Sequence, residues 1–388
     1  MRIFDKVTNV QSITNIKQKG VLYPDEKIKF KKLGYFFYGH NFNMNKKILQ
    51  DELQEKYTDK KIRNEKLHGL IKPYVSDKTL ERICECGGCI MMIANACLDK
   101  QKIDFANFCG NRFCPFCNWR KARKDGLIIS ILMKYIQIEH KKDFIFLTLT
   151  TPNVSAGELE DEIKNYNKSF KKMMERKEVK QVVKGYVRKL EVTYDSNPKI
   201  TKELYKIKKE YYKKRGLKVG DDNPTYDTYN PHFHVIIAVN KTYFKHKTYI
   251  KQNRWLELWQ EATGNPAITQ VDVRKIANFK EDNSILEIAK YSAKDNDLLH
   301  SQDTFDVFYK SLKGKRLLSY NGLFKDAMKK YKAKELEKYK EIDNTEYIYK
   351  FMLNWHSDNK LYQALELQLL NEHEYKRVNK QMIDEIEV

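Results

Sequence analysis

The chain has 388 residues, enough for two or three domains, and its 41% hydrophobic content is sufficient for packed cores. Its 73 lysine and arginine residues outnumber 52 acidic residues, and the resulting formal charge of +21 favours a phosphate-rich partner such as nucleic acid. No apolar run approaches the length of a membrane span, and the N-terminus lacks the apolar stretch of a signal peptide, so we expect a cytoplasmic protein with no membrane partner.

Residues 1–83 form a basic N-terminal region. It contains an aromatic patch at 35–38 and an amphipathic helical stretch around 51–74. Neither feature indicates a chemistry, and we interpret the region as an adaptor or as partly disordered.

All seven cysteines lie between Cys84 and Cys117. In a reducing compartment, clustered thiols are better explained as metal ligands than as disulfides, and Zn²⁺ is the ion usually held by four thiolates. Cys114 and Cys117 form a C-x-x-C turn, and by spacing alone Cys86 and Cys89 would complete the site, with Cys84 a further candidate. We therefore predict a zinc module over residues 84–135.

The last part of this module is predicted to be a basic helix that ends near residue 135. Its first turns contain Arg120, Lys121, Arg123 and Lys124. These side chains could contact DNA phosphates.

Strand and helix patterns alternate between residues 143 and 300. They predict strands at 144–151, 185–194, 232–239 and 268–276, helices at 158–176 and 253–263, and a basic insertion from about 195 to 229.

Two histidines one residue apart stand out in the strand at 232–239. Because side chains alternate across a strand, His232 and His234 share one face, and Phe233 and Val235 take the other. Two imidazoles on one face can begin a divalent-metal site. Taken alone, the pattern equally fits two polar residues on a sheet surface.

A helix is predicted at 284–294, with one apolar face. Its polar stripe contains Glu287, Tyr291 and Lys294 at i, i+4 and i+7, with Lys290 beside them. A phenol can act as a nucleophile, but its ordinary pKa near 10 means that a neighbouring cation must stabilise the developing charge. By spacing alone, a solvated face with Glu–Lys pairs is the better interpretation of this stripe.

The C-terminal region, residues 301–388, is predicted to be mainly helical. It begins with a basic turn at 311–316 whose Lys313, Lys315 and Arg316 could contact phosphates. The charged helices that follow suit DNA-origin recognition or docking of a partner protein, although such helices are often plain solvated surfaces.

Together these motifs resemble the HUH endonucleases, specifically the single-tyrosine rolling-circle replication initiators of Gram-positive plasmids. The resemblance covers about 82–325, where 108–117 is similar to the family's cysteine motif, 144–153 to its first motif and 185–194 to the strand before the histidines. It implies an α+β fold with an HUH-type antiparallel sheet and helices over one face. The sheet domain (143–300) would follow the zinc module and precede a helical C-terminal region.

The resemblance also implies the ligands of two metal sites. The structural zinc would be held by Cys86, Cys109, Cys114 and Cys117. This leaves Cys84, Cys89 and Cys97 without a metal role, and we expect Cys97 to be a small buried residue. A catalytic Mg²⁺ or Mn²⁺ would be held by His232, His234 and a third ligand, for which we choose Glu191 because its strand precedes the histidine strand.

The activity implied by the resemblance is nicking of one DNA strand at a plasmid origin, followed by rejoining of the displaced strand. Tyr291 would attack the phosphate and form a 5′-phosphotyrosine intermediate, Glu287 would activate water for a second cut, and Lys294, with Lys290, would orient the reacting groups. The partners would be origin DNA, single-stranded at the nick, and a host helicase.

Other functions remain compatible with the sequence. A zinc-dependent DNA-binding regulator would need no catalytic tyrosine, and a metal-dependent nuclease that uses water would form no covalent adduct. A conjugative relaxase shares the strand chemistry but usually has three clustered histidines and an N-terminal tyrosine, whereas here the tyrosine follows the histidines.

Overall fold

The computed structural model describes residues 42–277, 284–289, 293–379 and 383, with side chains from residue 56 onward except those of residues 286 and 287. The chain divides into two compact units, Met1–Lys56 and Tyr57–Val388, and the features below belong to the second. Within the described ranges, no helix combines the length and apolar character that a membrane crossing needs.

The first half of the second unit contains the cysteine region and the first strands of the main sheet. Its elements are α1 Phe42–Ile71 (shared with the first unit), α2 Asp77–Glu85, β1 Cys89–Asn95, β2 Gln101–Ala106, α3 Pro115–Glu139, β3 Lys142–Thr150, α4 Leu159–Met174, α5 Lys177–Val182 and β4 Gly185–Asp195. The short helices α6 Lys202–Ile207 and α7 Lys209–Lys213 lie in the basic insertion.

The second half completes both sheets. Its elements are β5 Thr228–Asn240, α8 Gln252–Thr263, β6 Val271–Ile276, α9 Ser284–Ala289, α10 Asp295–Leu298, α11 Gln302–Leu312, β7 Leu318–Gly322, α12 Leu323–Lys332, β8 Tyr347–His356, β9 Leu361–Ala364, β10 Gln368–Leu369 and α13 Glu372–Val378.

The main sheet is antiparallel, with strand order β6-β3-β5-β4-β7. The predicted α+β class with an antiparallel sheet is therefore confirmed. In its register Thr148 of β3 and Lys189 of β4 lie opposite His234, and Glu191 lies opposite His232.

Helices cover both faces of this sheet, so the expectation of helices over one face was wrong. On one face Phe146 and Ile236 pack with α3, α9 and α12. On the other, Phe233 contacts the rings of Tyr166 and Phe170 in α4. The physical reason lies in β5, which is buried without interruption from Val235 to Val239 and therefore needs cover on both sides.

A second sheet joins the cysteine region to the C-terminal region, in the order β10-β8-β1-β2 with β9 paired to β8. Together with β7 of the main sheet, the described part of the C-terminal region therefore contains four strands as well as helices. Phe351 and Leu353 of β8 are buried at the period of a strand, but their partner β1 lies far away in the sequence. This pairing could not be seen in the local pattern.

The C-terminal half of α1 packs on the cysteine region. Tyr57 is buried, and its ring centroid lies 6.1 Å from that of Phe116, 5.6 Å from that of Trp119 and 6.5 Å from that of Tyr362. The helix ends at Ile71, before the predicted boundary at residue 83, but it packs across that boundary, so the cysteine region shares its core with residues that precede and follow it in the sequence.

Candidate metal centres

The two histidines and Glu191 meet where the apolar face of the sheet ends. On this face β5 bears Ala238 and Ile236 in the core, then His234 and His232. Glu191 Oε2 lies 3.1 Å from His234 Nε2 and 3.4 Å from His232 Nε2. The three side chains offer ligand atoms that all lie within 4.8 Å of one another. This geometry is compatible with one shared cation.

The other ring nitrogen of each histidine has its own partner. His232 Nδ1 lies 3.2 Å from the carbonyl oxygen of Asn230, which can only accept, so Nδ1 donates, and in the neutral ring that a cation requires the lone pair is on Nε2. His234 Nδ1 lies 3.3 Å from Thr148 Oγ1, and its ring stacks on Phe146 with centroids 5.5 Å apart. Both Nε2 atoms are thereby held toward Glu191.

Charge at this site favours an anionic Glu191. Burial opposes its ionisation, yet hydrogen bonds from His232 and His234 outweigh burial and hold the pKa of Glu191 well below its ordinary value. Nearby, burial lowers the pKa of Lys189 to about 8. Two imidazoles and one carboxylate are a mixed set of nitrogen and oxygen donors that suits a divalent cation.

Replacing Glu191 with glutamine is expected to weaken Mn²⁺ binding at least about tenfold, because an amide oxygen without charge replaces a carboxylate ligand. Titration calorimetry with the metal alone measures this. Asp161→Asn, which removes an exposed carboxylate from α4, is the matched control and should bind Mn²⁺ as the wild type does. Equal affinity in Glu191→Gln would exclude Glu191 as a ligand.

The helix predicted to bear the nucleophile is described in part. Tyr291 and Lys290 lie outside the described residues, and of Glu287 only the backbone is described, in α9. Lys294 is exposed and has extended backbone, with φ −64° and ψ 138°. The prediction of one helix through Lys294 was therefore wrong at its end. Ala293 instead forms a parallel bridge with Val192 of β4.

Four cysteines form the second cluster: Cys86, Cys109, Cys114 and Cys117. Sulfur–sulfur distances are 3.5 Å from Cys86 to Cys117, 3.6 Å from Cys109 to Cys117 and 3.6 Å from Cys114 to Cys86. Tetrahedral Zn²⁺ with bonds of about 2.3 Å sets sulfurs about 3.8 Å apart, so the cluster fits this ion.

The remaining cysteines do not join the cluster. Cys89 lies in β1, so the alternative set based on spacing is not the one that the fold assembles. Cys97 is exposed, and the expectation that it is buried was wrong because it lies in the turn between β1 and β2. Cys84 is also exposed.

Hydrogen-bond donors from the backbone and from α1 contact the cysteine sulfurs. Backbone N–H groups of Cys109, Gly110 and Asn111 donate to cluster sulfurs at 3.3–3.4 Å. From α1, Asn64 Nδ2 donates to Cys114 Sγ at 3.4 Å. Such hydrogen bonds stabilise negative charge on sulfur and therefore favour thiolates, the form in which cysteine binds a metal.

A buried lysine from the same helix supports the cysteine loop. Lys61 is 3% exposed, and its Nζ donates to the carbonyl oxygens of Cys84 and Cys86 at 2.6 and 2.9 Å. Four thiolates around Zn²⁺ leave a net charge of about −2, so an ammonium group here also offsets charge. No sequence pattern indicated Lys61, because its distance from the cysteines in the chain hides the contact.

Lys61→Met is expected to release zinc faster, because two carbonyl groups lose their donor and the thiolates lose a cation. Transfer of zinc to a colorimetric chelator measures the rate, and a change of about tenfold is expected. Lys66→Met, on the exposed side of the same helix, should leave the rate unchanged. An unchanged rate in Lys61→Met would remove this supporting role.

The eight predicted DNA-contacting residues have different surroundings. Four of them are exposed: Lys121, Lys124, Lys313 and Arg316. Lys315 is partly buried and donates a hydrogen bond to Glu160, and Arg120 lies over the ring of Phe108. Arg123 is buried, and Lys290 lies outside the described residues. Arg123 is only 7% exposed and lies 5.0 Å over Trp119. The helix therefore turns this side chain toward the core, and its predicted phosphate contact stays a prediction.

One contact that the sequence did not reveal joins the cysteine loop to the basic turn. Arg112 Nη1 donates to the carbonyl oxygens of Leu312 and Lys315 at 2.8 and 3.0 Å. A groove of about 520 Å³ lies between loop and turn, and Lys121 and Lys313 are among the residues that line it. Arg112 thus fixes the turn on which Lys313 and Arg316 are exposed.

Comparison with known proteins finds one matching family and several related proteins. A family model described as a replication protein matches residues 100–363. A Staphylococcus aureus protein named "Protein rep" is 49% identical over 248 residues, which are 63% of this chain and 95% of that protein.

More distant relatives share the same name. One from Streptococcus pneumoniae is 30% identical over 298 residues, 74% of this chain and 84% of that protein. One from Bacillus amyloliquefaciens is 29% identical over 288 residues, 68% of this chain and 76% of that protein. No solved structure is a significant match to the chain.

Proposed function

This chain belongs to the replication protein family, as a plasmid replication initiator of the Gram-positive group, and we propose that it starts replication by cutting one strand of the plasmid origin through a 5′-phosphotyrosine intermediate. The observation that best supports this activity is the cluster of Glu191, His232 and His234. It lies beside β4 residues that contact both described ends of the segment containing Tyr291.

The cluster provides the ligands for a divalent cation, which we take to be Mg²⁺ or Mn²⁺. When bound, such a cation would draw negative charge from the scissile phosphate and make the phosphorus easier to attack. The chain's part is to hold Glu191 ionised and both Nε2 atoms toward one point. Two histidines with a glutamate, rather than three histidines, also favour an initiator over a conjugative relaxase.

Tyr291 would be the nucleophile. Its oxygen attacks phosphorus in line, the bond from phosphorus to the 3′ oxygen breaks, and the 3′-hydroxyl is free to prime synthesis. The 5′ phosphate stays on the tyrosine as a phosphodiester. Because this ester keeps the energy of the original bond, the displaced strand can be rejoined later without ATP.

Glu287 and two lysines would complete the reaction. Glu287, four residues before Tyr291 in the sequence, would act as general base for the water that makes the second cut, so that the protein is released and not trapped as another adduct. Lys294, which is exposed, and Lys290 would orient the phosphate or the phenol.

DNA would contact the protein mainly through the exposed cations. Lys121, Lys124, Lys313 and Arg316 lie on the cysteine region and the basic turn, and Arg112 joins the two. Phosphate contacts release counterions, so binding should weaken as salt increases. A structural zinc at the four cysteines would keep this surface ordered, and docking of a host helicase on residues 301–388 stays a prediction.

A labelled single-stranded oligonucleotide that contains the plasmid origin tests the proposal. With Mn²⁺, label on the 5′-phosphate side of the cut should migrate with the protein on a denaturing gel, and label on the other side should be released. Peptide mapping should find the adduct at Tyr291. Cleavage without an adduct would indicate a nuclease that uses water, and binding without cleavage would indicate a regulator.

A further inference from the structure

Lys189 occupies a position that is unusual for a lysine. Its side chain is only 6% exposed, and it lies on the face of β4 that also bears Glu191. In the register with β5 it lies opposite His234. Burial of an amine costs free energy unless polar partners compensate, so the partners of this group indicate its role.

One partner of the Lys189 ammonium group is a carbonyl group of α9. Lys189 Nζ donates a hydrogen bond of 3.1 Å to the carbonyl oxygen of Ala289, the last described residue of that helix. The bond joins the buried ammonium group directly to the backbone at the described end of α9. Asp125 and Glu191 are the anionic groups whose charges favour the ammonium form here.

The chain contacts β4 a second time four residues after Ala289. Ala293 forms a parallel bridge with Val192. The described chain therefore touches β4 at Lys189, where α9 ends, and again at Val192, with Glu191 between the two contacts. Tyr291 belongs to the stretch that connects them and lies outside the described residues.

We infer that Lys189 is a positioning residue, whose bond to Ala289 holds the end of α9 on β4 so that the stretch containing Tyr291 begins beside the metal ligands. The inference rests on the proposed function, because the position of α9 matters to cleavage only if Tyr291 attacks the phosphate. A displacement of about 1 Å between reacting groups can lower a rate about 10²-fold, so one hydrogen bond is sufficient to matter.

The test compares Lys189→Met with Arg188→Met, in the full-length protein. Arg188 is the matched control because it is a cation on the opposite face of the same strand. It lies 4.2 Å over the ring of Phe233 and donates to Asn167 at 2.8 Å. Lys189→Arg, which keeps a donor and a charge, should show a smaller effect than Lys189→Met.

In Lys189→Met, amide hydrogen exchange in the peptide 284–293 should become at least about tenfold faster, because an anchor of the helix end is lost. Single-turnover formation of the protein–DNA adduct should slow about 10²-fold. Binding of Mn²⁺ and of the oligonucleotide should not change. In Arg188→Met, exchange in 284–293 and the rate of adduct formation should both match the wild type.

Each other outcome overturns part of this assignment. Unchanged exchange in Lys189→Met would show that Lys189 does not anchor α9. Faster exchange with a normal rate of adduct formation would show that the anchor does not position the nucleophile. If Arg188→Met changed the exchange and the adduct rate as much as Lys189→Met does, the cause would be general destabilisation. If the wild type forms no adduct, the proposed function fails and the positioning role with it, while the exchange rates still decide whether the anchor exists.

Discussion

Tyr291→Phe is expected to abolish the covalent protein–DNA adduct while origin binding is retained. The substitution deletes only the phenolic oxygen, which is the atom that would bond to phosphorus, and keeps the ring. Loss of a nucleophile that forms a covalent intermediate should lower strand cleavage by at least about 10³-fold. Adduct on a denaturing gel and binding by fluorescence anisotropy, both with the same oligonucleotide and Mn²⁺, measure the two effects.

Tyr226→Phe is the matched control for this prediction. Tyr226 is an exposed tyrosine in the basic insertion, outside both metal clusters, and its loss of a hydroxyl should change neither cleavage nor binding. An adduct that persists in Tyr291→Phe would move the nucleophile to another residue. Cleavage that continues in Tyr291→Phe at the wild-type rate, with no adduct in either protein, would mean that water attacks.

The strands around the histidines could be predicted because their patterns are local. Phe233, Val235 and Ile237 alternate with His232 and His234, and the structure has these residues in β5 as predicted. The second sheet could not be predicted, because β1 and β8 lie far apart in the sequence and their pairing depends on tertiary contacts. For the same reason α1 was assigned to the N-terminal region, because its contacts with the cysteine region join residues that are far apart in the sequence.

The candidate metal site could also be predicted only in part from the sequence. The sequence predicted that Glu191 would lie opposite the histidines, because neighbouring antiparallel strands bring such residues together. It could not predict that Lys189, two residues earlier, is buried and bonded to Ala289, since a lysine in a strand is usually exposed. The contact of Lys61 with the cysteine loop was hidden because Lys61 lies far from these cysteines in the sequence.

Cys114→Ser is expected to eliminate zinc binding and to unfold the cysteine region. Cys114 is fully buried and its sulfur lies 3.6 Å from that of Cys86, so a hydroxyl at this position breaks a closed four-sulfur set. A structural zinc contributes about 10 kcal/mol, which is comparable with the whole stability of a typical domain. Zinc content by colorimetric chelation and hydrogen exchange across residues 84–117 measure the two effects.

Cys97→Ser provides the control, because Cys97 is exposed and lies outside the cluster. It should keep one zinc per chain, and zinc retained by Cys114→Ser would remove this cysteine from the ligand set. The damage in Cys114→Ser should also extend beyond the cysteines. Since β1 pairs with β8 and Arg112 holds the turn at Leu312 and Lys315, we expect faster exchange in β8 and weaker binding of the oligonucleotide.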